Sequence, residues 1–202
     1  PMRKGYAMIP AERGQILGAF PVLEADKPCG QAQQRDELRR VFDLLIANAL
    51  EQPQVFVHRD FHSRNLMVCP GHNPGIVDFQ DAVAGPITYD LVSLLKDCYI
   101  KWPRPRVKDW AADYYRMINL PAAVDEAAFL RWFDLMGVQR QLKASGIFAR
   151  LYHRDQKAGF LKDIPRTLSY ILDLGHEYAE LQFLIDLLQD RVLPAMDEAN
   201  QP

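Results

Sequence analysis

Residues 55–66 of the chain read Val-Phe-Val-His-Arg-Asp-Phe-His-Ser-Arg-Asn-Leu. The apolar run leads into a His-x-Asp triplet that ends at Asp60, and Asn65 follows in the same segment. A second apolar run, Gly-Ile-Val, leads into Asp78. Phosphoryl transfer from ATP uses a carboxylate near the acceptor hydroxyl, together with an Asn and an Asp that hold Mg²⁺. The pattern therefore predicts an ATP- and Mg²⁺-dependent phosphotransferase, with Asp60 as the catalytic carboxylate and with Asn65 and Asp78 as metal and nucleotide ligands.

Other interpretations of these residue types are weaker. A His-x-Asp triplet alone is compatible with a simple capped turn. An iron site could combine His58, Asp60 and a distant His153 or His176, but such sites occur in all-β folds and most of this chain has helical periodicity. A zinc site through His58 and His62 would need helical spacing, which a strand-like run does not favour. We expect His153 and His176 at the surface or at helix ends, and His58 facing inward to hydrogen-bond backbone near the loop.

Helical periodicity dominates the chain outside this segment. Apolar residues at three- and four-residue steps predict a helix over residues 33–51, which Pro53 ends. Asp125 is placed as an N-cap, and Pro165 lies where a helix can begin. The same spacing predicts further helices over residues 89–100, 107–118, 126–141 and 177–191.

Short apolar runs predict strands at residues 54–57, 66–69 and 76–79. The segment between the last two reads Pro-Gly-His-Asn-Pro-Gly and is dense in turn formers. These two strands should therefore form a hairpin. Such a hairpin would bring Asn65 beside Asp78, so that two metal ligands meet across one turn.

The composition is that of an ordinary globular protein, with 202 residues, 49% of them apolar and 25% charged. A net charge of −2 gives no reason to expect nucleic acid or an anionic membrane as partner. The basic residues of 101–106 are expected on solvated faces or turns. The three cysteines lack metal-site spacing and should be reduced. No apolar segment approaches the roughly 18 residues of a membrane span, and no signal peptide is recognisable, so a cytoplasmic location is expected.

The motifs resemble those of the aminoglycoside phosphotransferase-like kinases, small-molecule relatives of protein kinases that include aminoglycoside, choline and homoserine kinases. The matching segments are residues 55–67, 75–79 and 85–95, the last reading Gly-Pro-Ile-Thr-Tyr-Asp-Leu-Val-Ser-Leu-Leu. The resemblance covers about residues 35–195, which corresponds to the C-terminal lobe of the family.

The resemblance implies an α+β fold, a protein-kinase-like C-terminal lobe that is mostly helical and has a small β-hairpin carrying the catalytic and metal residues. It matches Asp60 to the catalytic Asp of the family, and Asn65 and Asp78 to its Mg²⁺ ligands. Asp90 matches an Asp that ties the following helix to the catalytic loop, and His58 should support the same loop.

Two runs, residues 62–65 and 78–104, look closest to bacterial kinases that phosphorylate N-acetylmuramic acid and N-acetylglucosamine at C1. The resemblance thus implies a small-molecule sugar substrate and a sugar 1-phosphate product used in cell-wall sugar recycling. An aminoglycoside, choline or another alcohol is an alternative acceptor. A catalytically silent lobe that binds a ligand is a further possibility.

Three side chains near Asp60 are candidates for ligand contacts. His62 and Arg64 lie in the same loop and could meet the acceptor or the phosphate. The guanidinium of Arg64 suits either the transferring phosphate or a substrate carboxylate. Asp81 could hydrogen-bond a sugar hydroxyl or cap the turn that follows it.

The nucleotide-gripping N-terminal lobe of such kinases is not recognisable in the sequence. Residues 1–30 are rich in Gly and Pro without sustained periodicity, which indicates an irregular segment, and residues 31–202 correspond to the kinase-like helical lobe. Lys4 and Lys27 do not match the strand Lys that grips the phosphates, and the glycines of residues 14–18 indicate a loop. The sequence therefore predicts a C-terminal lobe without its N-terminal partner.

Overall fold

The computed structural model describes residues 28–199 of the chain. These residues form two compact units, one of residues 48–140 and the other of residues 28–47 and 141–199. The first unit carries the residues predicted for the phosphotransferase site, from His58 to Asp90. Most of the segment predicted to be irregular, with Lys4, Lys27 and residues 14–18, lies outside the described residues. The described part is mostly helical with little strand, which confirms the predicted α+β class.

Helix α1 runs from Pro28 to Glu51. It already includes residues 28–30, which the sequence assigned to the irregular segment, and it begins before the predicted residue 33. Its end agrees with the prediction, because Pro53 lies between the helix and the first strand and cannot continue an α-helix. The chain passes from there directly into the strand that leads to Asp60.

The first unit contains two small antiparallel sheets. One pairs β1 with β4 and the other pairs β2 with β3, the four strands being Gln54–Val57 (β1), Leu66–Met67 (β2), Gly75–Ile76 (β3) and Val83–Pro86 (β4). In the β2–β3 hairpin Leu66 lies opposite Ile76, and the strands are shorter than predicted. Strand β3 ends early because Asp78 has a φ of 69°, a left-handed conformation that a strand does not contain.

Strand β4 was missed by the sequence analysis. It reads Val-Ala-Gly-Pro, and Val83 is the one residue of the four that favours a strand, since Ala, Gly and Pro are depleted in strands. It nevertheless pairs along the whole of β1, with Val57 opposite Val83 and Gln54 opposite Pro86. The pairing with β1 thus overrides a weak local propensity.

Three helices complete the first unit: α2 (Tyr89–Leu95), α3 (Arg104–Met117) and the first half of α4 (Glu126–Asp155). The Asp125 carboxylate accepts a hydrogen bond from the Ala128 N–H at 2.8 Å, which confirms the predicted N-cap of α4. Helix α2 ends before the predicted residue 100. The next two residues, Lys96 and Asp97, instead place buried charged side chains under the site.

Packing of these elements buries one apolar cluster. Its members come from the end of α1, from β1 and from the three helices: Ala49, Val57, Tyr89, Val92, Leu95, Val107, Ala111, Phe133 and Met136. Burial of a side chain the size of valine or leucine contributes about 1.5–3 kcal/mol. Val57 is 2% exposed and is the last residue before the loop of Asp60, so its burial fixes where that loop begins.

The second unit is helical throughout its described residues. Besides parts of α1 and α4 it contains α5 (Ile164–Leu172), α6 (Gln182–Leu187) and α7 (Leu193–Ala199). Helix α4 continues to Asp155, beyond the predicted residue 141, and α5 begins around Pro165 as predicted.

The predicted helix over residues 177–191 is wrong as a single element. It is divided into a 3-10 turn, α6 and a π-turn at Leu188–Val192. The π-turn precedes Pro194, which has no N–H to donate to the preceding turn. His153 and His176 are exposed, as expected.

A buried ion cluster joins α2, α3 and α4 within the first unit. The Asp134 carboxylate, 1% exposed, accepts hydrogen bonds from Lys96 Nζ at 2.8 Å and from Arg104 at 3.0 and 3.2 Å. Burial raises the pKa of Asp134, but Lys96 and Arg104 outweigh burial and hold it well below its usual range. Arg104 is therefore a partly buried structural partner of Asp134, and the prediction that its basic segment is merely solvated is wrong for this residue.

No helix within residues 28–199 is long and apolar enough to cross a lipid bilayer. Cys69 and Cys98 form no disulfide bond in this part of the chain, and the side chain of Cys29 lies outside the described residues.

Replacement of Asp134 tests the buried ion cluster. Asp134→Asn should lower the free energy of unfolding by about 3–5 kcal/mol, because Lys96 stays buried without its charge partner. Asp113→Asn is the matched control, since Asp113 pairs with Arg116 at the surface and should lose less than about 0.5 kcal/mol. Urea denaturation measures both values. Equal stability of the two variants would contradict this account.

Candidate active site

The loop that carries Asp60 is attached to the loop that carries Asp78 through the ring of His58. His58 is buried, and its Nε2 lies 3.0 Å from the carbonyl oxygen of Val77. Val77 directly precedes Asp78, so the contact links the end of β1 to the residue after the β2–β3 hairpin. This is the inward-facing, backbone-bonded position that the sequence suggested for His58.

The carboxylate of Asp90 fixes the backbone just before Asp60. Its two oxygens accept hydrogen bonds from the N–H groups of His58 at 2.6 Å and of Arg59 at 3.0 Å. Burial raises the pKa of Asp90, and the two N–H donors act in the opposite direction. Asp90 lies in the first turn of α2, so the helix and the loop are tied together where the sequence expected a supporting residue.

Two residues of the site have a left-handed backbone conformation, which is unfavourable for residues other than glycine. Arg59 has a φ of 77° and Asp78 a φ of 69°. A left-handed conformation costs about 1–2 kcal/mol for a residue other than glycine. Each is held by a contact from outside its own segment, Arg59 by Asp90 and the segment of Asp78 by His58. The surrounding packing thus maintains a geometry that the local sequence would not choose.

The structure brings Asp60, Asn65 and Asp78 together. The amide nitrogen of Asn65 donates to the Asp60 carbonyl at 2.9 Å and to Oδ2 of Asp78 at 3.3 Å. Gln80 donates to the other oxygen of Asp78. The side chains of Asp60 and Asp78 are exposed, so both carboxylates are accessible to a ligand.

The donor set of Asn65 and Asp78 fits a hard divalent cation. One carboxylate and one amide supply oxygen ligands, as Mg²⁺ prefers, and leave positions for water and phosphate oxygens. Among the described residues, no group of three or more His, Cys, Asp or Glu side chains is arranged to hold a metal ion. A cation at this pair would therefore depend on oxygens from a nucleotide as well as from the chain.

A further carboxylate, the buried Asp97, holds the far part of the loop. It accepts hydrogen bonds from the N–H of Ser63 and from the N–H of Tyr99, each at 2.9 Å. Asp97 is 1% exposed and was missed by the sequence analysis. No periodicity marks it, because its role depends on a loop more than thirty residues earlier in the chain.

Arg140 of α4 is a buried cation beneath the loop and was also missed. Its guanidinium donates to the Ser93 hydroxyl and lies 3.8 Å from the Cys98 sulfur. Burial disfavours this charge, but Tyr89, Cys98 and Asp60 outweigh burial and raise the pKa of Arg140. The first unit thus places a permanent positive charge close enough to attract the Asp60 carboxylate.

The three candidate contact residues lie around the same loop. The Arg64 guanidinium is stacked on the ring of Tyr99, 3.4 Å from its centroid, and the ring of His62 meets Tyr99 edge-on. Burial lowers the pKa of His62, and Asp97 acts in the opposite direction. The Asp81 carboxylate is exposed, and only the backbone carbonyl of this residue contacts the loop, through Arg59 at 3.4 Å.

An apolar cavity of about 550 Å³ adjoins the loop within the first unit. Its walls include Phe56, Phe61 and Leu91, and the lining residues that carry polar side-chain atoms are His58, Asp90 and Tyr114. His58 Nε2 and the Asp90 carboxylate already form hydrogen bonds to the backbone and the remaining walls are mostly apolar, so this cavity offers few groups to a sugar. The exposed side chains around Asp60 are better placed for a polar acceptor.

Comparison with known proteins gives two findings. A family model described as "Phosphotransferase enzyme family" matches residues 12–133. Two curated proteins named N-acetylmuramate/N-acetylglucosamine kinase are similar to the chain. The one from Neisseria meningitidis is 48% identical over 87% of the chain and 54% of its own length, and the one from Pseudomonas putida is 49% identical over 77% and 48%. The chain therefore spans about half the length of the curated relatives it matches.

The lowered pKa of His62 predicts a pH dependence of stability. The folded state binds the proton of His62 less readily than the unfolded state, in which the pKa is near 6.5. Stability should therefore fall as the pH drops below about 6.5, until the folded pKa is reached. His62→Gln should reduce the difference in unfolding free energy between pH 7.5 and pH 5.5, as measured in urea. His153→Gln, at an exposed site, should leave it unchanged, and equal effects of the two variants would refute the assignment.

Proposed function

The chain belongs to the phosphotransferase enzyme family, and on this basis we propose that it transfers the γ-phosphoryl group of ATP to a hydroxyl of a small amino sugar. The family match covers more than half of the chain and confirms the resemblance seen in its motifs. The observation that carries the proposal is the contact of Asn65 with Asp78 beside Asp60. A nucleophile-orienting carboxylate next to an oxygen-ligand pair is what phosphoryl transfer requires.

In this proposal Asp60 accepts a hydrogen bond from the acceptor hydroxyl and takes its proton as the bond to phosphorus forms. Asn65 and Asp78 hold Mg²⁺, which when bound neutralises charge on the phosphates of ATP. Asp90 and His58 hold the loop of Asp60 against the loop of Asp78, so that the two carboxylates stay at a constant separation. Such positioning supplies much of the catalysis in phosphoryl transfer, which needs little covalent chemistry from the protein.

Arg140 has a supporting role in the same proposal. Its buried charge attracts the Asp60 carboxylate from within the protein, opposite the solvent-exposed side where a ligand binds. Ser93 links Arg140 to the loop, since its hydroxyl also approaches the carbonyl of Arg59 at 3.5 Å. We infer that Arg140 limits the motion of Asp60 rather than touching the substrate.

The acceptor we propose is the anomeric hydroxyl of N-acetylmuramate or N-acetylglucosamine. The names of the curated relatives support these two sugars over aminoglycosides or choline. The product would be a sugar 1-phosphate that enters nucleotide-sugar synthesis during cell-wall sugar recycling. Because ATP is the phosphoryl donor, the proposal places the reaction in the cytoplasm.

Replacement of Asp60 tests the proposed reaction. With Mg-ATP and N-acetylmuramate, ³¹P NMR should show a new sugar phosphate signal for the unmodified chain. Asp60→Asn should slow its appearance by about 10²–10⁴-fold, because the variant cannot accept the proton. Asp113→Asn, which changes an exposed surface carboxylate, should have no effect. Transfer by Asp60→Asn at the original rate, or no transfer by the folded unmodified chain, would contradict the proposal.

A further inference from the structure

We propose that Arg64, oriented by Tyr99, binds an anionic group of the acceptor and thereby favours a carboxylate-bearing sugar over an uncharged one. The inference rests on the proposed function. Of the two proposed acceptors, N-acetylmuramate carries a carboxylate on its lactyl group, whereas N-acetylglucosamine is uncharged. The two sugars share the anomeric hydroxyl, so a charged contact away from that hydroxyl would distinguish them.

The guanidinium of Arg64 is oriented and accessible. Its central carbon lies 3.4 Å from the centroid of the Tyr99 ring, and the residue is exposed. Stacking on an aromatic face fixes the plane of a guanidinium while its N–H donors at the edge stay available for a planar anion. No carboxylate among the described side chains forms an ion pair with Arg64. The Arg64 guanidinium is therefore held in place by Tyr99, and its N–H groups remain available to hydrogen-bond a ligand.

Tyr99 is itself held in a defined position. The buried Asp97 carboxylate accepts the Tyr99 N–H and the Ser63 N–H, so it ties the residue under the guanidinium to the loop that carries Arg64. The ring of His62 contacts the same aromatic side chain, with centroids 5.6 Å apart. Asp97 therefore anchors both the loop that carries Arg64 and the residue whose ring supports the guanidinium. An ordinary exposed arginine has no such support.

The contact partner of Arg64 favours a role at the acceptor rather than at the nucleotide. The next residue, Asn65, contacts Asp78 after β3, whereas Arg64 contacts Tyr99 after α2. The attacking and leaving oxygens are roughly in line in phosphoryl transfer. With the phosphates held at Asn65 and Asp78, the acceptor approaches Asp60 from the side away from this pair. We assign Arg64 to the acceptor, because its guanidinium contacts Tyr99 instead of Asp78.

The test compares kcat/KM for the two sugars in each variant. Arg64→Gln should lower the ratio of N-acetylmuramate to N-acetylglucosamine by about 10- to 100-fold, the usual effect of a lost charge-assisted pair. Arg64→Lys should lower it less, because the charge is retained and the planar fork is lost. Arg116→Gln, at a surface ion pair, should not change the ratio.

Two variants of Tyr99 test the positioning. Tyr99→Leu should lower the same ratio, because the guanidinium loses its aromatic support, and Tyr99→Phe should retain most of it, because the ring face is kept. Circular dichroism checks that each variant is folded, and Tyr99→Phe provides the comparison if Tyr99→Leu is not.

The outcomes separate this inference from the proposed function. An equal loss of both sugars in Arg64→Gln would assign Arg64 to the transferring phosphate and overturn the inference while the kinase reaction stands. If the unmodified chain transfers phosphate to neither sugar, the proposed function fails. Calorimetric titration of each sugar without nucleotide then decides the inference: tighter binding of N-acetylmuramate that Arg64→Gln abolishes supports it, and binding that is independent of Arg64 overturns it.

Discussion

The geometry of the candidate site depends on one partly buried carboxylate that holds two consecutive backbone N–H groups. Asp90 takes the donors of His58 and Arg59, and it does so from the first turn of a helix that is itself packed into the apolar core. This contact maintains the left-handed conformation of Arg59, and the loop then passes to Asp60. His58, fixed by the same carboxylate, reaches the segment of Asp78. The separation between the side chains of Asp60 and Asp78 thus depends on the His58–Arg59 peptide, which Asp90 holds in place.

The charged side chains around the loop of Asp60 lie at different depths below the surface. The carboxylates of Asp60 and Asp78 are exposed at the surface, whereas the partly buried Asp90 and the buried Asp97 accept hydrogen bonds from backbone donors. Arg140 supplies a buried positive charge to this acidic environment. An unpaired acid at the same depth would tend to be neutralised by protonation. The arrangement leaves the outer carboxylates available for ligands and assigns the inner ones to structure.

Sequence reasoning identified the parts of the site that are carried by local pattern. Asp60 and Asp78 come after short apolar runs, Asn65 directly precedes one, and the turn formers between β2 and β3 indicated the hairpin that brings Asn65 beside Asp78. The same reasoning missed Asp97, Arg140 and strand β4, since each depends on a partner far away in the chain rather than on periodicity. It also made α2 too long and treated Arg104 as solvated, because a buried ion pair has no signature in the sequence of either partner.

The roles of Asn65 and Asp78 as cation ligands are the central claim, and Mn²⁺ tests it directly. Mn²⁺ accepts the same oxygen ligands as Mg²⁺ and enhances water proton relaxation when it is bound to a protein through ATP. The account predicts an enhancement with the unmodified chain, its loss in Asp78→Asn, and its retention in Asp81→Asn, where a neighbouring exposed carboxylate is removed. An enhancement that persists in Asp78→Asn, or one that is lost equally in both variants, would contradict it.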